Sequence, residues 1–239
     1  MTRFCSMGLA LLLATGMAQL SAAQETRPGG SGSGTSISGT LKVTGTKVKT
    51  KGSKSQKHVV IYLEKVGDKS YPPPPKEPVE MDQKNLVFIP HVMAVQKGTK
   101  VDFLNSDSVD HNVFCVDDCC KILEPGKKKF LDLGNWGKGD VRSHTFNTPG
   151  EAVLLCRLHP EMAAYLIVLE TPYFTVAEVD GKTLSASYAI ENVPPGKYLL
   201  RAWNKKCGSP DKEVTIEAGK SSQVDFEISR KKRKRRKKG

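Results

Sequence analysis

The 239-residue sequence predicts an all-β protein built from β-sandwich units. Three observations carry this expectation. Short runs of β-branched and aromatic residues recur from Ile37 to Ile228, bounded by Gly, Pro, Asn or Asp. No segment shows a convincing 3.6-residue apolar period, and Glu161–Tyr165 leaves room for one turn of helix and nothing longer. Strands this short, at this spacing, argue for a sandwich or barrel.

Taken in order, Leu41-Lys42-Val43 alternates, Thr46 to Lys51 is β-prone and basic, and Val59 to Leu63 is a short buried run. Tyr71 followed by Pro72-Pro73-Pro74-Pro75 breaks the pattern and reads as an extended spacer. Leu86–Ile89, Val92–Val95 and Val101–Leu104 follow, the last after a Lys97-Gly98 turn. Then come His111–Phe114, Ser143–Phe146, Ala152–Leu155 and Tyr165–Leu169. A second unit begins after Glu170: Phe174–Val176, a turn at Val179–Lys182, Tyr188–Ile190, Val193–Trp203, Val214–Ile216 and Val224–Ile228. At 171–229 this unit is thin for an independent core.

The two ends differ from the body. Arg3, the apolar stretch Gly8–Leu20 and Ser21-Ala22-Ala23 read as a secretory signal over 1–23. The apolar stretch is short for a membrane span, and no later stretch is apolar and long enough, so no transmembrane segment is expected in the mature chain. Residues 24–36 are Gly/Ser-rich and read as a linker. At the other end, nine consecutive cations run from Arg230 to Lys238 in a tail over 230–239. With those nine and Arg3 set aside, the formal net charge of +12 falls to +2, so the body is nearly neutral. Export into a periplasmic or extracellular compartment is expected, where cysteines can pair. Five cysteines follow the signal segment: Cys115, Cys119, Cys120, Cys156 and Cys207. An odd number leaves at least one for other chemistry.

Cys156-Arg157-Leu158-His159-Pro160-Glu161-Met162 places a thiol, an imidazole and a thioether within seven residues, directly after an apolar strand. His nitrogen and Cys sulfur suit copper, and a more distant Met sulfur tunes its potential. Pro160 restricts the chain immediately after His159. His111 follows Asn105-Ser106-Asp107 at the end of another strand and supplies a second imidazole. A lone Cys-x2-His-x2-Met is a weak signal; its surroundings strengthen it.

Phe88-Ile89-Pro90, the run Val95 to Asp107, and His111-Asn112-Val113 resemble the first ligand strand of the cupredoxin (blue copper) family. Phe146-Asn147-Thr148-Pro149-Gly150, Leu155-Cys156, His159 and Met162 resemble its second. The Cys-x2-His-Pro-x-Met spacing looks most like the amicyanin/plastocyanin-like members. Met162-Ala163-Ala164-Tyr165, with Thr171-Pro172-Tyr173-Phe174 beyond, is similar to the exported "methylamine utilisation protein" group. The resemblance covers about 79–170. It implies a Greek-key β-sandwich and one type 1 copper ion. His111 and His159 would be its imidazole ligands, Cys156 its thiolate and Met162 its axial ligand. A binuclear copper centre would need a cysteine where Ala152 stands.

Cys115, Cys119 and Cys120 depart from that pattern. The residues leave open a disulfide, with Cys207 as a distant partner, a strained vicinal Cys119–Cys120 pair, or a second metal site. His58, His91 and His144 read as surface or satisfied histidines, with His91 the first to reconsider as a ligand. The unit at 171–229 resembles the carboxypeptidase-regulatory-like β-sandwich, through Val179-Asp180-Gly181 and Val193 to Tyr198. That family opens with strands like Ile37–Leu41 and Val59–Leu63, so 37–66 is expected to pair with 171–229 around an inserted copper domain.

The function these features imply is one-electron transfer, not catalysis, with a redox protein as donor or acceptor. A copper-binding or delivery protein, and a surface interaction protein with a vestigial copper site, are the alternatives. The tail reads as an electrostatic contact for an anionic surface or acidic partner; no nucleic acid is expected, because no aromatics interleave with its charges.

Overall fold

The computed structural model describes residues 35–45, 58–64, 70–116, 130–208 and 210–229. The stretch 1–34, read from sequence as a signal and a linker, the β-prone stretch 46–51, Cys119, Cys120 and the cations of 230–238 lie outside the described residues. Every described residue falls in one compact unit. Among the described residues there is no helix, and seventeen strands form four sheets. None of the described elements is a helix long and apolar enough to cross a membrane.

Two sheets form an outer sandwich. One is built on β1 (Ile37–Thr44), which pairs antiparallel with β13 (Ser185–Ile190) and parallel with β16 (Ser222–Gln223) and β17 (Phe226–Ser229). The other has the order β12 (Phe174–Glu178), β2 (His58–Glu64), β14 (Gly196–Trp203), β15 (Asp211–Ile216). Strands from both sides of the central segment therefore share each sheet. Their facing side chains, among them Ile37, Leu41, Ile61, Leu200 and Phe226, form one buried core. Gly39 lies on β1 where a Cβ would collide with the Val224 carbonyl oxygen, so only glycine fits that close approach.

The central segment makes the second sandwich. Its front sheet has the order β4 (Val87–Ile89), β3 (Val79–Lys84), β6 (Thr99–Asn105), β9 (Val141–Phe146). Its back sheet runs β5 (Val92–Gln96), β11 (Ala163–Leu169), β10 (Gly150–Leu155), β7 (His111–Val116), β8 (Phe130–Trp136). Met81, Phe88, Phe103, Phe146, Leu154 and Leu166 fill the space between them. β3 and β8 have no counterpart among the strands expected from sequence. β3 reads Val-Glu-Met-Asp-Gln-Lys, with Met81 and Gln83 inward and charges outward. Its period of two is real but weakly apolar. The single helical turn allowed at Glu161–Tyr165 gives way to strand β11 from Ala163 onward.

A third apolar cluster joins the sandwiches. Val60, Tyr62 and Trp203 from the outer sandwich pack against Val92, Ala94, Ile167 and Leu169 on the outward side of the back sheet. β5 and β11 are thus buried on both faces; β5 is buried at all five positions. Four sheet layers with three apolar interfaces result. The proline segment runs along this assembly: Gln96 Nε2 donates to the Pro72 carbonyl at 2.6 Å, and the Tyr71 ring meets Tyr173 edge-on at 6.0 Å.

Candidate metal centre

His111 starts β7, and the loop carrying Cys156, His159 and Met162 joins β10 to β11. β10 pairs with both β7 and β11, so the loop ends and His111 are held by adjoining strands of one sheet. The loop closes tightly, with the Met162 N–H donating to the His159 carbonyl at 2.9 Å. His111 is fully buried, Cys156 and Met162 are nearly so, and His159 is half-buried.

Three donor atoms converge there. His111 Nδ1 and His159 Nδ1 lie 3.1 Å apart, and Cys156 Sγ lies 3.9 Å from the first and 3.6 Å from the second. Among the described residues these three form the only grouping of His, Cys, Asp or Glu that could hold a metal ion. Met162 sits in the same buried cluster as Cys156. The donor chemistry fits a thiophilic, imidazole-binding ion: two imidazole nitrogens and a thiolate, with a thioether nearby, suit copper better than a hard cation.

The surrounding groups orient this set. Asp107 Oδ2 lies 2.9 Å from His111 Nε2. Asp107 also accepts the backbone N–H groups of Asn85 at 2.6 Å and Leu86 at 2.9 Å. Burial pushes the Asp107 carboxyl up, but the bonds from Leu86, His111 and Asn85 outweigh it and leave its pKa below the usual carboxylate value. An ionised Asp107 can only accept, so Nε2 carries the proton and Nδ1 presents its lone pair to the converging group. This carboxylate went unassigned in the sequence, where Asp107 is only part of a strand-end motif. Its i to i+4 spacing from His111 was the available signal.

A second network braces the cysteine. The Asn112 backbone N–H points at Cys156 Sγ, 3.4 Å away, and the Asn112 side-chain oxygen accepts the Arg157 N–H at 3.4 Å. Asn112 Nδ2 donates to Asp132 at 2.8 Å. Arg157 donates to Asp132 through Nε at 3.2 Å and lies 3.0 Å away through Nη2. Its guanidinium also stands 4.3 Å from the centre of the Phe114 ring. Burial raises the Asp132 carboxyl, yet the bonds from Asn112, Gly134 and Arg157 hold it below the ordinary value.

The remaining candidates fall elsewhere. His91 meets the Tyr165 ring edge-on at 5.4 Å, and its carbonyl accepts the Tyr165 N–H, so it faces the sandwich junction. His144 packs against Phe146 at 4.7 Å on β9, and burial lowers its pKa. His58 opens β2. Cys115 is disulfide-bonded. Cys207 is buried in the outer sandwich core while Cys115 belongs to the other core, so the long-range pairing of these two is not what the structure contains.

Residues 76–169 match the family described as copper binding proteins, plastocyanin/azurin family. Among curated proteins, no sequence matches the chain. Among solved structures, a reduced tryptophan-to-tyrosine variant of amicyanin is 21% identical with a TM-score of 0.35, over 39% of this chain and 84% of its own. Amicyanin from Paracoccus versutus (Thiobacillus versutus) is 22% identical with a TM-score of 0.34, over 39% of this chain and 83% of its own.

Proposed function

We propose that this protein is a blue copper electron carrier, because residues 76–169 match the family described as copper binding proteins, plastocyanin/azurin family. His111, Cys156 and His159 hold the ion, and Met162 is its weak fourth ligand. The observation that carries this is the convergence of two Nδ1 atoms and one Sγ within 3.9 Å at the end of a rigid sheet. Bound copper supplies a one-electron Cu(II)/Cu(I) couple. The chain's own residues keep the ligands still. Asp107 sets the tautomer and ring plane of His111, the Asn112 N–H restrains Cys156, and the Met162-to-His159 bond closes the loop. Ligands that cannot move lower the cost of changing charge state. A site filled by four protein ligands leaves no position for substrate, which argues for electron carriage over catalysis.

His159 is the half-buried member of the three and is the point of electron exchange. Beside it, Leu158 is 45% exposed; Val109 and Leu86, at 44% and 39%, flank the Asn105 and Asp107 contacts. A small apolar surface of this kind suits a transient redox protein, which must dock and leave quickly. The signal-like N-terminus supports an exchange in the periplasm or at the cell surface. The basic tail serves as an electrostatic contact for an anionic surface or acidic partner.

The test is a visible spectrum of the mature protein after addition of Cu(II), beside Cys156→Ser. An intense thiolate-to-copper band, bleached reversibly by reductant and absent from the variant, is expected. A colourless protein, or colour that survives the substitution, overturns the reading. Loss of the ion on each redox cycle would indicate delivery.

A further inference from the structure

Among the described residues, five large apolar side chains stand exposed: Leu86, Ile89, Val109, Val141 and Leu158. All five belong to the copper-type sandwich and none to the outer one. Leu86, Val109 and Leu158 border the surface around His159. Ile89 and Val141, at 47% and 41% exposure, lie on the front sheet instead. Strand register joins them. Ile89 on β4 pairs with Asp82 on β3, Asp82 with Leu104 on β6, and Leu104 with Val141 on β9. Residues in register share a face of the sheet, and the row crosses four strands, about 14 Å. Phe88, Met81, Gln83, Phe103 and Asn105, the alternate positions on these strands, are buried inward, so the row faces out.

The row sits at the copper end. Leu104 precedes Asn105, whose Nδ2 donates to the Val109 carbonyl at 2.9 Å. The Gly139 N–H donates to the Asn105 carbonyl at 2.8 Å and ties the approach to β9 to the same place. The Leu86 N–H donates to Asp107, the carboxylate that holds His111. Through Leu86 and Val109 the row is continuous with the electron-exchange surface. Its chemistry is mixed. Asp82 stands between Ile89 and Leu104, and its Oδ1 is buried without a hydrogen-bond partner. Lys100, on the same face, is paired with Asp102 at 3.4 Å. Three carboxylates there, Glu80, Asp82 and Asp102, stand against two cations, Lys84 and Lys100, so the face is net negative.

We infer that this row is the second half of a docking surface for a redox protein that presents a basic side chain ringed by apolar ones. The basic group meets Asp82, and the apolar ring covers Ile89, Leu104 and Val141. This rests on the electron-carrier reading above. A carboxylate with one oxygen already shut away from water gains more from an incoming cation than a hydrated one, because part of its desolvation cost is already met. An apolar row interrupted by one charge buries little area, which suits a contact made and broken at each electron. A permanent dimer of this chain would need a far larger and more apolar patch than this row supplies.

Tris(1,10-phenanthroline)chromium(III), a redox-inert paramagnetic trication with an apolar surface, is added to the mature protein without copper, and amide broadening is mapped by NMR at low ionic strength. Broadening centred on Asp82, Ile89, Leu104 and Val141 is expected, about 3-fold weaker or more in Asp82→Asn and weaker also in Ile89→Ser. Equal broadening in the unaltered protein and Asp82→Asn, or broadening centred elsewhere, overturns the inference. Reduced, copper-loaded protein is then mixed with tris(1,10-phenanthroline)cobalt(III); Cu(I) gives up one electron and becomes Cu(II) as Co(III) becomes Co(II). Asp82→Asn should keep the blue band yet react about 3- to 10-fold more slowly at low salt, with the difference gone near about 0.5 M salt. The same variant should not be slower with hexacyanoferrate(III), an anion. Slowing with both oxidants would mark a change in the copper centre and overturn the inference. A dimer in sedimentation that Val141→Asp dissolves would assign the row to a second copy instead. Absence of the blue band sinks the electron-carrier reading and with it the redox identity of the partner, whereas a blue protein with equal maps overturns the docking surface alone.

Discussion

The two sandwiches each end a central strand in a short loop carrying a cysteine, at the same end of the molecule. Beside each loop, a neighbouring strand begins with a histidine. After β10 the loop holds Cys156 next to β7, which opens on His111; after β14 it holds Cys207 next to β2, which opens on His58. Only the first assembles a donor set. There, Asp107 pins the outer nitrogen of His111 and turns Nδ1 toward the sulfur. In the second loop Asn204 takes the organising role. Its Nδ2 donates to the His58 carbonyl at 2.8 Å, and its oxygen accepts the N–H groups of Lys206 and Cys207. Cys207 is packed among apolar side chains of the outer core. A cysteine and a histidine near one loop do not make a site; a third group must aim the imidazole and a second imidazole must meet it.

The sharpest way to break this contrast is to remove each sulfur. Cys156→Ala should abolish the blue absorption entirely, whereas Cys207→Ala should leave the spectrum unchanged and lower stability by about 1–2 kcal/mol. Equal spectral effects would erase the distinction between the loops. Next in size is Trp203→Ala, which empties the junction between the sandwiches. A loss of about 3–5 kcal/mol is expected, read by denaturant unfolding, with one transition splitting into two if Trp203 is what couples the sandwiches. Gly39→Ala probes the outer sandwich alone: overpacking against the Val224 carbonyl should cost about 1–3 kcal/mol, with the copper spectrum of the folded protein intact.

The smallest effect is electrostatic. Asp132 has a folded pKa below its ordinary value of 3.8, so its ionisation stabilises the fold above that value. The contribution is lost as pH falls through the folded pKa. Asp132→Asn should flatten the acid limb of the stability curve below about pH 4, measured by thermal unfolding from pH 6 to 3. It should also loosen Arg157 and shift the midpoint potential modestly. An unchanged potential would show that this network braces the loop without tuning it.

Much of the all-β architecture is readable as period-two runs, because a strand with one buried face must alternate. Val59–Leu63, buried throughout, instead shows the unbroken apolar run of a strand covered on both sides. β3 escaped because Glu80, Asp82 and Lys84 occupy its outward positions and mask Met81 and Gln83. β8 has no such signal, because Asp132, Gly134 and Asn135 interrupt its apolar residues, yet it pairs with β7 through a bulge. Of the centre, Cys156, His159 and Met162 announced themselves by spacing on one loop, and His111 by the residues around it. The Arg157–Asp132–Asn112 network did not, since its members lie 20 to 45 residues apart.

By itself, the sequence determined the element type and the identities of the candidate donors, because both depend on local period and local spacing. Tertiary structure alone decided which histidine meets the sulfur, which carboxylate sets its tautomer, and which strand lies beside β1 at Ser229. Those depend on strand pairing between residues as distant as Thr44 and Ser229, Leu155 and Phe114, or His58 and Glu178. Pairing is chosen by how whole sheets bury their faces, a property no short window of sequence contains.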